Sequence, residues 1–490
     1  MPMNLAGVTI IVYLALIALV SVYLTNRNKN SADWAIGGGG MGLWLIAAGI
    51  AGTRIGGAGT YGVAGDTMNT GVWNMWYGVN SFLALALVGL LFAVPYRRLR
   101  LTTISELFVK RHNSSRNGWL TSLCVQTEYL IINILEPLLV GIIISAVFGI
   151  NREVAIMLGA VIIIMSTTFS GLRGASATNV IHVLVVMFGL GAVAIIAGNE
   201  LGGISGIREK VDVALLGSDI EPASWWSFVG LGWFPIIAMF FSAVIHTPAA
   251  SVYVNYSSSA RSENLLIPAF LIAGVLAAIM PILASIIGIE AVARYGTESG
   301  ISSYATITQI ATDTGPIIGG IAIAAVLAAL ISSGGPILLS SATLFVNDWI
   351  PGSADFEPAR KLKTYRITSV IYGLFAGVLA CLLPITSVLQ LLLLGFAMVV
   401  PPALAIGFIF YWRKTTEQGV FWGIALGYGL GLLAWAINTL FLHLENDVAA
   451  YFTTLVPLVV IPVVSLLTQS PENQGEKCES FYRQLKTPLS

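Results

Sequence analysis

The stretch from Ile46 to Gly65, IAAGIAGTRIGGAGTYGVAG, constrains this chain more than any other. Seven glycines (Gly49, Gly52, Gly56, Gly57, Gly59, Gly62, Gly65) and one arginine, Arg54, interrupt a run otherwise apolar enough to cross a bilayer. Each glycine costs a helix about 1 kcal/mol relative to alanine. A charge at bilayer depth costs roughly 2.5–3.5 kcal/mol even on insertion scales. An unbroken helix facing lipid therefore does not suit these residues. A segment whose backbone opens beside a cavity does, because freed carbonyls can hold an ion there. Interrupted helices at mid-membrane depth are a feature of secondary transporters.

The remainder of the chain is built for lipid. Of 490 residues, 56% are hydrophobic and 10% charged, and mean hydropathy is +0.85. A soluble domain carries about 25% charged residues, so this chain cannot cover a soluble surface. Its 24 basic residues balance 24 acidic ones, which gives no reason to expect a nucleic-acid partner. Three scattered cysteines suggest neither a disulfide framework nor a metal cluster. There is no Walker motif and no zinc-type His–Glu spacing, which argues against an ATP-driven pump or a metalloprotease. No nucleophile–base spacing supports an enzyme, and no organic cofactor is expected.

About thirteen apolar runs reach the roughly 20 residues needed to span. They lie at 5–25, 43–65, 72–96, 119–148, 153–171, 180–199, 226–254, 265–290, 316–345, 367–384, 387–412, 419–441 and 449–468. The first lacks a basic leader and a small-residue cleavage site, so it reads as a retained helix. With the N-terminus outside, 19 of the 24 Lys and Arg fall in inner loops, from Arg27 and Lys29 to Lys486, and four in outer loops. Arg54 stays in the membrane. This asymmetry supports an external N-terminus and a cytoplasmic C-terminus. Residues 1–468 read as a single transmembrane domain and 469–490 as a polar, mobile tail. The outer loops near 200–225 and 291–315 are long enough for short surface helices.

The span beginning at Trp226 also reads as interrupted, at Pro235 and then at His246-Thr247-Pro248. Two breaks five spans apart point to an inverted repeat, residues 43–199 against 226–412, with extra helices at 5–25 and 419–468. In the ninth span Ala329, Ser332 and Ser333 share one helix face. One carbonyl and two hydroxyls suit a hard monovalent cation, whereas Mg²⁺ or Ca²⁺ usually brings carboxylates. The same spacing equally fits helix-packing glue. Among polar residues in the spans, Asn80 and Ser81 are pocket candidates. Glu128 is a partner candidate for Arg54, and Glu136, before Pro137, is expected near the outer interface and solvated. His182 reads as structural and His246 as open to function. Trp73, Trp76 and Tyr77 fit an interfacial aromatic belt.

Several motifs together resemble the sodium:solute symporter family, the group of proline, pantothenate, sugar and sialic acid symporters. They are SADWAIGGGGMG (31–42), VPYRRLRLTTISELFVKRH (94–112), SSGGPILLSSATLFVNDWI (332–350) and PPALAIGFIFYWRKTTEQGVFWG (401–423). The resemblance runs almost end to end. It implies an all-α integral membrane protein of about 13 transmembrane helices with a five-plus-five, leucine-transporter-like core that works by alternating access. It implies a sodium site made by the carbonyls of Gly52, Ile55 and Ala329 and the hydroxyls of Ser332 and Ser333. Three departures stand out. Thr178-Asn179-Val180-Ile181-His182 lacks the aspartate that many members carry there, which puts a second sodium site in doubt. Gly334-Gly335-Pro336 replaces a more polar run. Arg54 stands where relatives carry a small polar or acidic residue, and His246 aligns with an aromatic that contacts that residue.

The expected function is Na⁺-coupled uptake of a small organic solute at a cell membrane, with Na⁺ as coupling ion. Arg54 tilts the solute towards a carboxylate, such as a monocarboxylate or amino acid, because guanidinium binds carboxylate through a bidentate fork. The competing role for Arg54 is an internal pair with Glu128 or another acid. Other readings are an H⁺-coupled or uncoupled carrier with Glu128 as proton site, and a sensor built on the same fold. Partners are the solute and the bilayer; oligomeric state is not legible.

Overall fold

The computed structural model describes residues 5–25, 30–216, 218, 220–297, 300–301, 305–382, 388–442, 448–469 and 475–489. Arg27 and Lys29, two of the basic residues counted above, lie outside the described residues, as do 470–474 and 490 of the tail. The described residues are almost entirely helical, with one isolated backbone bridge, Met41 to Ala260. Among the described residues, nine helices are long and apolar enough to cross a membrane, and a bent pair makes ten. The other three expected spans are helical but short or interrupted. The first, α1, is Leu5–Thr25, whose apolar stretch Gly7–Tyr23 falls just short. The second is the glycine-rich span, and the third, Arg152–Thr167, has 16 residues. The glycine-rich span and the bent pair are the two breaks anticipated above.

The glycine-rich span consists of α2 (Leu43–Gly57), a wide π-type turn at Ala58–Gly62, and α3 (Val63–Thr70). Gly56 leaves the helix with φ 45° and ψ −177°. Only glycine adopts that backbone without strain, so the break has a local cause. The neighbours that matter here are α4 (Trp76–Leu87), α5 (Ser115–Phe148) and α6 (Gly171–Glu200). The bent span consists of α7 (Trp233–Phe240), a π-type turn at Phe241–Ile245, a tight turn at Thr247–Ala249, and α8 (Ser251–Ser259). Its halves meet at 48°. Pro248 is the second residue of the tight turn and Ala250 is extended. Proline lacks the N–H that would continue the helical ladder.

Backbone hydrogen bonds tie the two broken spans together at one end. Met41 N–H donates to Ser259 O at 2.8 Å and Arg261 N–H donates to Met41 O at 3.0 Å. Both run inside a shell of long helices, including α9 (Pro316–Leu344) and α10 (Val388–Tyr411). The broken spans are buried over most of their length, while Leu19, Phe188 and Ile195 on the outer helices are two-thirds exposed or more. Polar backbone is thus opened only where protein surrounds it, as a bilayer requires. The connections near 200–225 and 291–315 do carry short helices, Gly203–Leu215, Pro222–Trp225 and Thr306–Thr314.

The tail departs from expectation. Its residues Glu476–Lys486 form an amphipathic helix, α11, with Cys478, Phe481 and Tyr482 buried. Tyr482 Oη donates to Ile409 O at 2.7 Å, and Arg98, paired with Glu263 at 2.8 Å, also donates to Leu485 O. A polar composition hid an apolar stripe at helical spacing.

Candidate functional site

The break at Gly56 opens a cavity bounded by α2, α4, α5, α8, α9 and α10. The cavity is nearly closed, about 30 Å³ in volume, far below the ~300–1,000 Å³ usual for small-molecule sites, so a solute enters only when it widens. Arg54, Ile55, Glu128, Glu136, His246 and Ser333 all line it.

At one end, oxygens of α2 and α9 converge. Ser332 Oγ donates to Gly52 O at 3.0 Å and to Ala329 O at 2.8 Å. Ser333 Oγ lies 3.4 Å from Ala329 O and 2.7 Å from Glu136 Oε1. Ser332 bonds back to a carbonyl one turn below, as serine on a helix commonly does, while Ser333 is drawn towards Glu136. The close approach of α2 depends on Gly52, where a Cβ would stand 2.5 Å from Asn179 Nδ2. Asn179 donates to Gly49 O at 3.2 Å and to Ser332 O at 3.1 Å, holding the two helices in register. It occupies the place where the family resemblance anticipated an aspartate, and here it works as a bridge. Of the five sodium-site residues read from sequence, Gly52, Ala329 and Ser332 are joined by direct hydrogen bonds. Ser333 adjoins them through Ala329 O, and Ile55 lines the same cavity.

Arg54 is 5% exposed. Its Nη2 donates to Ala243 O at 2.7 Å, in the π-type turn of the bent span, and its Nε donates to Ser81 Oγ at 3.4 Å. The guanidinium lies 5.1 Å from the Phe396 ring and 5.8 Å from Tyr77. Among the described residues it makes no ion pair with a carboxylate. Glu128 lines the same cavity, 2% exposed, and its Oε2 has no hydrogen-bond partner among the described residues. His246 stacks on Phe396 with centroids 4.0 Å apart, and its Nδ1 donates to Ser242 O at 2.6 Å. Arg54 and His246 therefore meet through Phe396. Asn80 and Ser81 are buried but are not part of the cavity wall; Ser81 is linked to it through Arg54 and Tyr77.

Three residues belong to the cavity against expectation. Glu136, anticipated at a wet interface, is 4% exposed and buried against the break. Its position eight residues from Glu128 puts both on one face of α5, a signal present in the sequence. Tyr77, anticipated in an aromatic belt, is 1% exposed and lines the cavity. Phe396 carried no sequence signal, because an aromatic among leucines looks like core. His182 bonds Tyr13 of α1 and packs edge-on to its ring, the structural role anticipated for it.

Two interrupted spans enclosed by long helices, with neutral oxygens gathered at one break, define a membrane secondary transporter. Residues 34–427 match the sequence profile of the Sodium:solute symporter family, and the chain belongs to that family. The chain is 22% identical to "Solute carrier family 5 member 4A" of Mus musculus, over 88% of this chain and 72% of the relative. It is 23% identical to "Sodium/proline symporter" of Staphylococcus aureus, over 95% of this chain and 93% of the relative. A solved Na⁺-coupled sialic acid symporter, captured substrate-bound and outward-open, superimposes with a TM-score of 0.79 at 21% identity, covering 95% of this chain and 98% of that one. The nucleobase-cation-symport-1 family transporter MHP1 superimposes at 0.62 and 15% identity, covering 93% and 99%. The fold is therefore that of the leucine-transporter-like symporters, and the chain is a multi-pass Na⁺-coupled transporter, not an enzyme.

Proposed function

We propose that this symporter holds Na⁺ with the carbonyls of Gly52, Ile55 and Ala329 and the hydroxyls of Ser332 and Ser333. In the same cavity Arg54 receives the carboxylate of a small organic acid or amino acid. The observation that carries this is the junction of Ser332 with Gly52 and Ala329 beside a cavity containing an arginine without a carboxylate partner among the described residues. Guanidinium binds carboxylate through two parallel N–H bonds. A solute there would sit one helix turn from the ion, so each would stabilise the other's site, and alternating access would move both. The Staphylococcus aureus relative's name, a proline symporter, agrees with a solute bearing a carboxylate. The halves that would rock are residues 43–199 and 226–412, with the N-terminus outside, the tail cytoplasmic and the protein in the cell membrane.

Reconstitution into proteoliposomes tests this. Under an inward Na⁺ gradient, uptake of a radiolabelled carboxylate from a panel of small acids, amino acids and sugars is expected, and is abolished when Na⁺ is equal on both sides. The unpartnered oxygen of Glu128 supports a second reading, an H⁺-coupled carrier with Glu128 as its proton site. That reading stands instead if uptake follows an H⁺ gradient, ignores Na⁺ and is unchanged by Ser332→Ala.

A further inference from the structure

We propose that Glu136 makes the sodium site a charged one, supplying a carboxylate ligand beside the neutral oxygens of α2 and α9. The inference rests on the sodium reading above and adds a residue to it.

The carboxylate is held in a built position. Gly57 N–H, freed by the break, donates to Glu136 Oε1 at 3.1 Å, and Ser333 Oγ–H donates to the same oxygen at 2.7 Å. The room for it exists because two glycines carry no side chain. A Cβ on Gly56 would stand 2.8 Å from Oε1 and one on Gly57 3.2 Å from Oε2. The second oxygen, Oε2, is buried with no hydrogen-bond partner among the described residues, in a side chain 96% removed from solvent. A buried carboxylate oxygen without a donor among the described residues is costly unless a cation or a proton completes it.

The geometry shows how the ion would be completed. Oxygens run in a continuous series from Gly52 O through Ser332 Oγ, Ala329 O and Ser333 Oγ to Glu136 Oε1, each step 3.4 Å or less. When Ser333 ligates a cation its lone pairs must face the ion and its proton must go elsewhere. Glu136 Oε1 already accepts that proton, so Ser333 is pre-oriented for the cation.

The test is Na⁺-dependent thermal stabilisation of the purified full-length protein, with choline replacing Na⁺ at constant ionic strength. Wild type is expected to gain melting temperature with Na⁺ along a saturable curve. Glu136→Gln keeps size and both hydrogen-bond acceptances but removes charge; its Na⁺ midpoint is expected to rise at least tenfold. Should that variant not fold, Glu136→Asp against Glu136→Asn gives the same contrast of charge at matched size, with the Asp midpoint expected at least tenfold lower. A midpoint within twofold of wild type in Glu136→Gln, or equal midpoints in the Asp and Asn pair, overturns the role of Glu136. If these appear while Ser332→Ala still weakens Na⁺ binding, the sodium reading survives without Glu136. No Na⁺ stabilisation of wild type overturns both.

Discussion

The two broken spans open by different means, and they offer their freed groups to different partners. The first is unwound at Gly56 by a positive φ and surrounded by glycines. The second is unwound by Pro248 and bent 48°. At the first break the nearby oxygens of Gly52, Ala329, Ser332 and Ser333 face one another and a carboxylate. At the second, the buried carbonyl of Ala243 is already taken by Arg54, a side chain from the first. On the proposed reading the first break takes a mobile ion, whereas the second is filled by a fixed cation of the protein itself. Proline stops the helical ladder but keeps a side chain against its neighbours, whereas glycine removes the side chain and lets a second helix and a carboxylate come close.

The largest effect that would break this contrast is at Gly56. Gly56→Ala forces a backbone disfavoured by ~1–3 kcal/mol and drives a methyl into Glu136, so Na⁺-driven uptake should fall by roughly a hundredfold. Pro248→Ala should keep uptake within about threefold, because alanine adopts the same backbone without strain and the bend is also held by packing. Equal losses in the two variants would mean that both breaks serve the ion alike.

Arg54 comes next. Arg54→Lys keeps the charge and loses the planar fork, so the Michaelis constant for a carboxylate solute should rise about tenfold or more, from ~1.5–3 kcal/mol of charged hydrogen bonding. Its melting temperature should fall little. If uptake is unchanged while the melting temperature drops, Arg54 is a strut between the two breaks rather than a reader of solute.

Much of this layout is legible in the residues. Seven glycines with an arginine could not form a lipid-facing helix, and that alone placed the first break. Pro248 placed the second. Ala329, Ser332 and Ser333 share a face because helical geometry puts i, i+3 and i+4 together, and the structure sets that face against Gly52. What stays hidden is depth and partner. Glu136 and Glu128 are chemically alike in the sequence, and only the position of α5 against Gly57 shows that Glu136 is buried at the break. Tyr77 and Phe396 follow the rules of belts and cores, and it takes the packing of α4 and α10 to turn them towards Arg54. The tail's helix stays hidden because polar residues dominate its composition while three buried side chains line one helical face.

The smallest effect should come from that tail. Its contacts are at the protein's rim, where half-exposed pairs such as Arg413–Glu479 contribute about 0–1 kcal/mol. Deleting residues 475–490 should lower the melting temperature by a few degrees, as expected for ~1–2 kcal/mol spread over a large protein. The Na⁺ midpoint should not move. A shifted midpoint would extend the comparison beyond the two breaks, by linking the tail to the ion.

The central claim is that the first break binds the coupling ion, and equilibrium binding of radiolabelled Na⁺ to the purified protein tests it most directly. Wild type should bind Na⁺ saturably, and Ser332→Ala, which removes one oxygen between Gly52 and Ala329, should weaken that binding by about fivefold, the equivalent of ~1 kcal/mol. No saturable binding in wild type, or an unaltered isotherm in Ser332→Ala, would contradict the account.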